Sequence, residues 1–175
     1  PVVAHIAAAI GKSAASSTKG FAILIDEAAK LLQNPGFRDL AVEMFREYRK
    51  LDGAVGLAFQ DPAALTRSGM AEAFIENTST FIFLPNSQAS AESFEPFNLN
   101  EEQIAFATGA SLRSGDRRAL IVKRDAATGF DESAIIDVDL APLGDALRFY
   151  RAGVKANQEL DQLKTTWGDE WRNYL

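Results

Sequence analysis

Two short apolar runs constrain this chain more than any other feature. Phe21-Ala-Ile-Leu-Ile25 and Ala54-Val-Gly-Leu-Ala-Phe59 are each of strand length, and each ends on polar groups, Asp26-Glu27 and Gln60. An unbroken apolar run presents hydrophobic side chains on both faces, which predicts strands covered on both sides, as in the middle of a parallel sheet. Between the runs lies an amphipathic helix. Asn34-Pro35 supplies a capping side chain followed by proline at the first helical position. Phe37, Leu40, Ala41, Met44, Phe45 and Tyr48 form its apolar stripe, with Arg38, Glu43, Arg46, Glu47 and Lys50 off it. Gly53 is the expected helix stop. Strand, helix, strand predicts a right-handed crossover, with Asp26 and Gln60 at the same edge of one sheet. A third run, Thr80-Phe-Ile-Phe-Leu84, is expected to lie beside them in parallel.

The rest of the chain continues the alternation and places it in the α/β class. Val2, Val3, Ile6 and Ile10 recur at helical spacing, and a polar loop is expected over residues 13–20. Asp61-Pro62 repeats the cap-plus-proline start and opens a helical stretch toward Asn77. Pro85-Asn86 breaks the third strand. Asn100 with Gln103 resembles a capping box, and Gly109 closes that helix. Residues 118–123 and 134–140 read as an antiparallel hairpin around a loop containing Gly129. In the tail, Leu160, Leu163 and Trp167 share one helical face, Gly168 is a stop, and a short end carries Trp171. With no internal repeat or low-complexity tract, residues 1–175 read as one domain.

Composition narrows the function. The formal net charge of −6 is unfavourable for binding nucleic acid or an anionic membrane, and no direct nucleic-acid site is evident. The absence of Cys and the single His5 remove disulfides, thiolate metal sites and multi-histidine centres. No apolar run approaches the ~20 residues of a membrane-spanning helix, and no targeting segment is visible. The chain lacks an initiator Met and opens within a helical pattern, so a fragment or trimmed product is expected.

The chemistry concentrates at the strand ends. An apolar strand ending in Asp-Glu is the Walker B pattern: Asp26 to hold Mg²⁺ through water, and Glu27 to orient and deprotonate an attacking water. The plainer reading is that the two acids cap the following helix. Gln60 would sense a phosphate or hold that water if its strand neighbours the first. Arg49 is either a cation at a helix C-terminus or an arginine finger aimed at a neighbouring subunit's nucleotide. Gly11-Lys12-Ser13 is a decoy: a GxxxxGK[ST] loop needs glycine at position 6, which is Ile6, and the residues before it read as helix.

The order of "FAILIDEAAKLLQ", "FREYRKLDGAVGLAFQDPAAL", "AEAFIENTSTFIFLPNSQA" and "DRRALIVKR", with the closing "LKTTWGDEWRNYL", resembles the CagE/TrbE/VirB family of type IV secretion ATPases. Conjugative coupling proteins share the first half of this order but not the later segments. The resemblance implies part of a RecA-like P-loop NTPase core: a mostly parallel sheet flanked by helices, with a C-terminal antiparallel hairpin and helical tail. It implies the C-terminal portion of an ATPase domain that lacks its Walker A segment, inactive by itself. It assigns Asp26 to the metal, Glu27 to catalysis, Arg49 to action in trans and Gln60 to sensing. ATP and Mg²⁺ are the implied ligands, and a hexamer at the cytoplasmic face of the bacterial inner membrane is the implied assembly. A second ATPase, inner-membrane subunits and pilin are the implied partners. The chain departs from the family at Phe59, where Thr is common, which alters the neighbour of the sensor amide. Two other readings stand beside this one: a non-catalytic RecA-like interaction module, and a coupling protein or DNA translocase of the FtsK/HerA superfamily.

Overall fold

The computed structural model describes residues 5, 9–13, 16, 20–110, 117–125, 128, 130–150 and 153–174. The chain divides into two compact units, residues 1–136 and 137–175.

In the first unit, β1 (Phe21–Ile25) leads through a tight turn into the short α1 (Ala28–Leu31) and then α2 (Pro35–Glu47). The Asn34 side chain accepts from the Phe37 N–H at 3.3 Å with proline at the start, as the sequence predicts. Phe37, Ala41 and Met44 on the α2 stripe are buried, as is Tyr48 just beyond it. A 3₁₀ turn (Tyr48–Leu51) then carries the chain into β2 (Gly53–Leu57). β1 and β2 pair in parallel as expected, Phe21 opposite Gly53 and Ile25 opposite Leu57, with α1 and α2 in the connection between them. The reversal differs from expectation in one respect. The left-handed residue is Asp52 (φ 55), not Gly53. Gly53 is required for space: a Cβ there would stand 2.4 Å from the Phe21 ring and 2.9 Å from the Tyr48 carbonyl oxygen.

The stretch after Asp61-Pro62 is two helices, α3 (Ala63–Arg67) and α4 (Ala71–Glu76), because Gly69 at φ 71 interrupts it. Asp61 caps it, accepting from the Ala63 N–H at 2.9 Å. β3 (Thr80–Phe83) does not join β1 and β2. It pairs antiparallel with β4 (Arg118–Asp125), which pairs with β5 (Phe130–Asp137) in a separate three-stranded antiparallel sheet. The expectation of three adjacent parallel strands therefore fails at β3. The hairpin is present, with β5 starting and ending earlier than expected. Between β3 and β4, a 3₁₀ segment (Ala91–Phe97) precedes α5 (Glu101–Ala107). This helix opens with a full reciprocal capping box between Asn100 and Gln103 and ends at Gly109 (φ 75).

The core follows from which faces these strands turn inward. Phe83 of β3 packs edge-on against Phe94 at 5.9 Å and Phe97 at 5.3 Å, geometry that suits aromatic quadrupoles. Leu120 and Val122 of β4 join this cluster with Leu32, Phe37, Leu65, Phe74 and Phe106. A smaller cluster, Met44 and Tyr48 with Ile10, Phe21, Ile23 and Val55, fixes α2 against β1 and β2. The opposite strand faces are open among the described residues: Leu24 is 84% and Ile82 65% exposed. The expectation of strands covered on both faces is thus met on one face only, because α2 packs on the Phe21, Ile23 and Ile25 side. Residues 9–13 are helical, so helix and not loop stands directly before Gly11. Ser13 and Ser16 are also helical, where a loop is expected. Val2, Val3, Ile6 and Gly129 lie outside the described residues.

In the second unit, two 3₁₀ turns over Ala141–Tyr150 meet at Gly144 (φ 48). α6 (Val154–Trp167) follows, stops at Gly168 (φ 52) as predicted, and gives way to a 3₁₀ turn (Gly168–Tyr174). The Lys164 ammonium stands 5.4 Å from the Trp171 ring centroid, a cation–π contact.

Candidate functional site at the strand ends

Parallel pairing of β1 and β2 delivers Asp26-Glu27 and Gln60 to the same sheet edge. The pairing continues past the strands, with the Ala58 N–H on the Ile25 carbonyl at 2.9 Å and the Ala28 N–H on the Ala58 carbonyl at 3.1 Å. These bonds hold the two exits side by side. Asp26 Oδ1 accepts from the Glu27 N–H at 2.8 Å, and Oδ2 has no partner among the described residues. Glu27 adopts a left-handed conformation (φ 51, ψ 39), which is uncommon for a residue with a Cβ and concentrates at functional sites. The Gln60 side-chain amide donates to Glu27 Oε1 at 3.4 Å. On its other oxygen, Glu27 receives Lys30, which raises the lysine's pKa chiefly through that hydrogen bond. All four side chains are solvent-exposed.

The loop after β3 closes the group. The Asn86 side-chain amide donates to the Gln60 carbonyl at 3.1 Å. Asn86 and Gln60 each fall three residues beyond the last residue of their strand, Phe83 and Leu57. Counted from the apolar runs of the sequence, which end at Leu84 and Phe59, the offsets are two and one, so the match appears only once the strands are placed. Lys30 was open to inference, one helical turn after Glu27.

Arg49 is not part of this cluster. It lies on the 3₁₀ turn that precedes β2, at the opposite end of the strand from Gln60. There it lines a cavity of about 330 Å³ between the starts of β2 and β3, together with Met44, Phe45 and Val55. Arg49 is exposed and makes no ion pair among the described residues. Its neighbour Lys50 pairs with Glu47 at 2.8 Å.

Among the described residues no cluster of three or more His, Cys, Asp or Glu could hold a metal by itself. A single exposed carboxylate is compatible with Mg²⁺, which keeps most of its waters and needs only one or two protein carboxylates when phosphates supply further ligands. No described helix is long and apolar enough to cross a membrane.

The class defined by this architecture is a mixed α/β protein with an acidic, amide-bearing cluster beyond the carboxyl ends of a parallel strand pair, where open α/β sheets bind ligands. No protein-family profile matches the chain. Individual relatives do. It is 27% identical over 153 residues to the type IV secretion system protein virB4 of Bartonella quintana, covering 85% of this chain and 19% of that protein. It is 32% identical over 155 residues to the conjugal transfer protein TrbE of Rhizobium radiobacter, covering 85% of this chain and 17% of that protein. To the type IV secretion system protein virB4 of Bartonella henselae it is 26% identical over 147 residues, covering 83% of this chain and 18% of that protein. The chain belongs to the VirB4/TrbE family, as a partial region of it. It spans less than a fifth of the length of these curated relatives.

Proposed function

We propose that this chain is part of the motor domain of a type IV secretion or conjugal-transfer ATPase, and that Asp26, Glu27 and Gln60 form the water-activating side of its nucleotide site. The observation that carries this reading is the meeting of the Glu27 and Gln60 side chains beyond two parallel strands. A carboxylate and an amide in contact can hold one water between a base and a hydrogen-bond donor. Asp26 would hold Mg²⁺ through its free oxygen. The phosphates would be cradled by a loop that these 175 residues do not encode. The chain by itself would neither bind ATP tightly nor hydrolyse it.

A RecA-like core is the corresponding proposal for the fold. Its support is the edge of β2 and the edge of β3 left unpaired among the described residues, with a cavity between their starts. A further strand from the full-length protein would pair with both edges and join the two sheets. In the assembled machine we place the protein as a hexamer at the cytoplasmic face of the inner membrane. There it would energise pilus assembly and substrate transfer together with a second ATPase, inner-membrane subunits and pilin. Arg49, on the far side from Glu27, is then positioned to serve a neighbouring subunit.

One observation favours a second reading, a RecA-like interaction module without catalysis. Lys30 occupies Glu27 Oε2 and would oppose its action as a base. Glu27→Gln in the full-length protein separates the two readings. Gln keeps the size and loses the base, so turnover should fall by roughly 10²–10⁴ while ATP still binds. Turnover unchanged by the substitution would show that Glu27 is not the base, leaving it the partner of Lys30 and Gln60.

A further inference from the structure

We infer that Asn86 is a positioning residue that aims Gln60 at Glu27. The inference rests on the nucleotide-site reading of Asp26, Glu27 and Gln60. Gln60 lies beyond the end of β2, where strand pairing no longer holds the backbone: the last bonds between the two strand exits involve Ala58. Its carbonyl is held by the Asn86 amide at 3.1 Å, and its side chain reaches Glu27 at 3.4 Å. Fixing the carbonyl fixes the peptide plane at Gln60 and limits where its side chain can point.

Asn86 is itself tightly held. Its N–H donates to the Ala107 carbonyl at 2.8 Å, at the end of α5, and its own carbonyl accepts from the Ala89 N–H at 3.1 Å. Its Oδ1 accepts from the Gln88 N–H at 3.0 Å. That last bond also settles the orientation of the amide. Reversing it would set Nδ2 against an N–H and Oδ1 against a carbonyl, losing both bonds. Asn86 thus transmits the position of α5 and the β3 exit to Gln60. Only a side chain that donates at one end and accepts at the other satisfies both neighbours. Asp keeps the bond from Gln88 and replaces the donor to Gln60 with an oxygen.

The test is a double-mutant cycle in the full-length protein, with turnover of Mg-ATP as the readout and Tm as a control. N86D should lower kcat about three- to tenfold, the range expected for one net hydrogen bond, with KM for ATP nearly unchanged. Q60A should lower kcat at least as much, and N86D added to Q60A should lower it no further, because Asn86 acts through Gln60. Effects that multiply, or an unchanged kcat in N86D while E27Q abolishes turnover, would overturn the inference. Should N86D not fold, N86A, which deletes the donor without adding charge, enters the same cycle. If turnover is insensitive to E27Q, the nucleotide-site reading falls first and the inference with it.

Discussion

Replacing Gly53 with Ala tests how tightly the turn from α2 into β2 is packed. An added Cβ would stand 2.4 and 2.7 Å from two Phe21 ring atoms and 2.9 Å from the Tyr48 carbonyl oxygen. Carbon atoms in contact sit about 3.5–4.0 Å apart, so the ring must move by more than ~1 Å. It has little room to do so, because Tyr48 packs edge-on against it at 5.6 Å and is itself buried. The carbonyl belongs to the backbone and yields even less. Overpacking of this kind costs about 1–3 kcal/mol. For a chain of this length each kcal/mol moves Tm by roughly 2–4 °C, so a loss of about 4–8 °C is expected near the middle of that range. The probe has to report on the right unit. Both tryptophans, Trp167 and Trp171, lie within residues 137–175, so their fluorescence follows the other unit. Amide hydrogen exchange across β1 and β2, or far-UV circular dichroism, follows the relevant strands. Gly69→Ala is the control: it has nothing within 4 Å of an added Cβ and only its φ of +71 to strain. If Gly53→Ala exchanges and melts as the wild type does, close approach is not the reason for glycine there.

Two further outcomes are expected. Arg67 hydrogen-bonds to Asp61 at 2.6 Å and holds its carboxyl below the usual aspartate range. A depressed folded pKa contributes stability that is present above the unfolded value and lost as pH falls through the folded one. Asp61→Asn retains an acceptor for the Ala63 N–H, so it should cost about 0.2–1 kcal/mol at neutral pH, as an exposed pair does, and nothing in strong acid. Urea unfolding that gives the same difference in both conditions would show that the charge is not responsible. In the full-length protein, Arg49→Ala should leave Tm nearly unchanged and reduce turnover by roughly 10³–10⁵ if it acts as a finger. Mixing Arg49→Ala with Glu27→Gln subunits should then restore some activity, and co-assembled mixtures as inactive as either variant would rule out action across a subunit boundary.

What was legible in the sequence was local. Asn34-Pro35, the Asn100 and Gln103 box and the Gly109 stop act within one helical turn, and each lies where its chemistry predicts. The parallel pairing of β1 and β2 was legible because helix and strand lengths leave little choice. The sheet to which β3 belongs was not, because its partner β4 lies about 40 residues away and no local signal specifies it. Asp52 in place of Gly53 as the left-handed residue went unread for a different reason. The sequence marks a glycine but does not say whether backbone freedom or lack of volume selects it. At the candidate site, the contact between Glu27 and Gln60 follows from register, whereas Asn86 comes in from the other sheet. Long-range partners of this kind become visible only once the strand ends are placed.

The open strand face sets how this region behaves as a reagent. Leu24, Ile82 and Leu84 are 84, 65 and 67% exposed, on β1 and at β3, while β2 and β3 each keep an edge unpaired among the described residues. Bare apolar strands beside free hydrogen-bonding edges are the ingredients of sheet-to-sheet association. The net charge of −6 opposes that association only through long-range repulsion, which added salt removes. Purified alone, the polypeptide is therefore expected to be a colloid governed by ionic strength: dispersed in dilute buffer, and gathering into dye-binding particles as salt is raised.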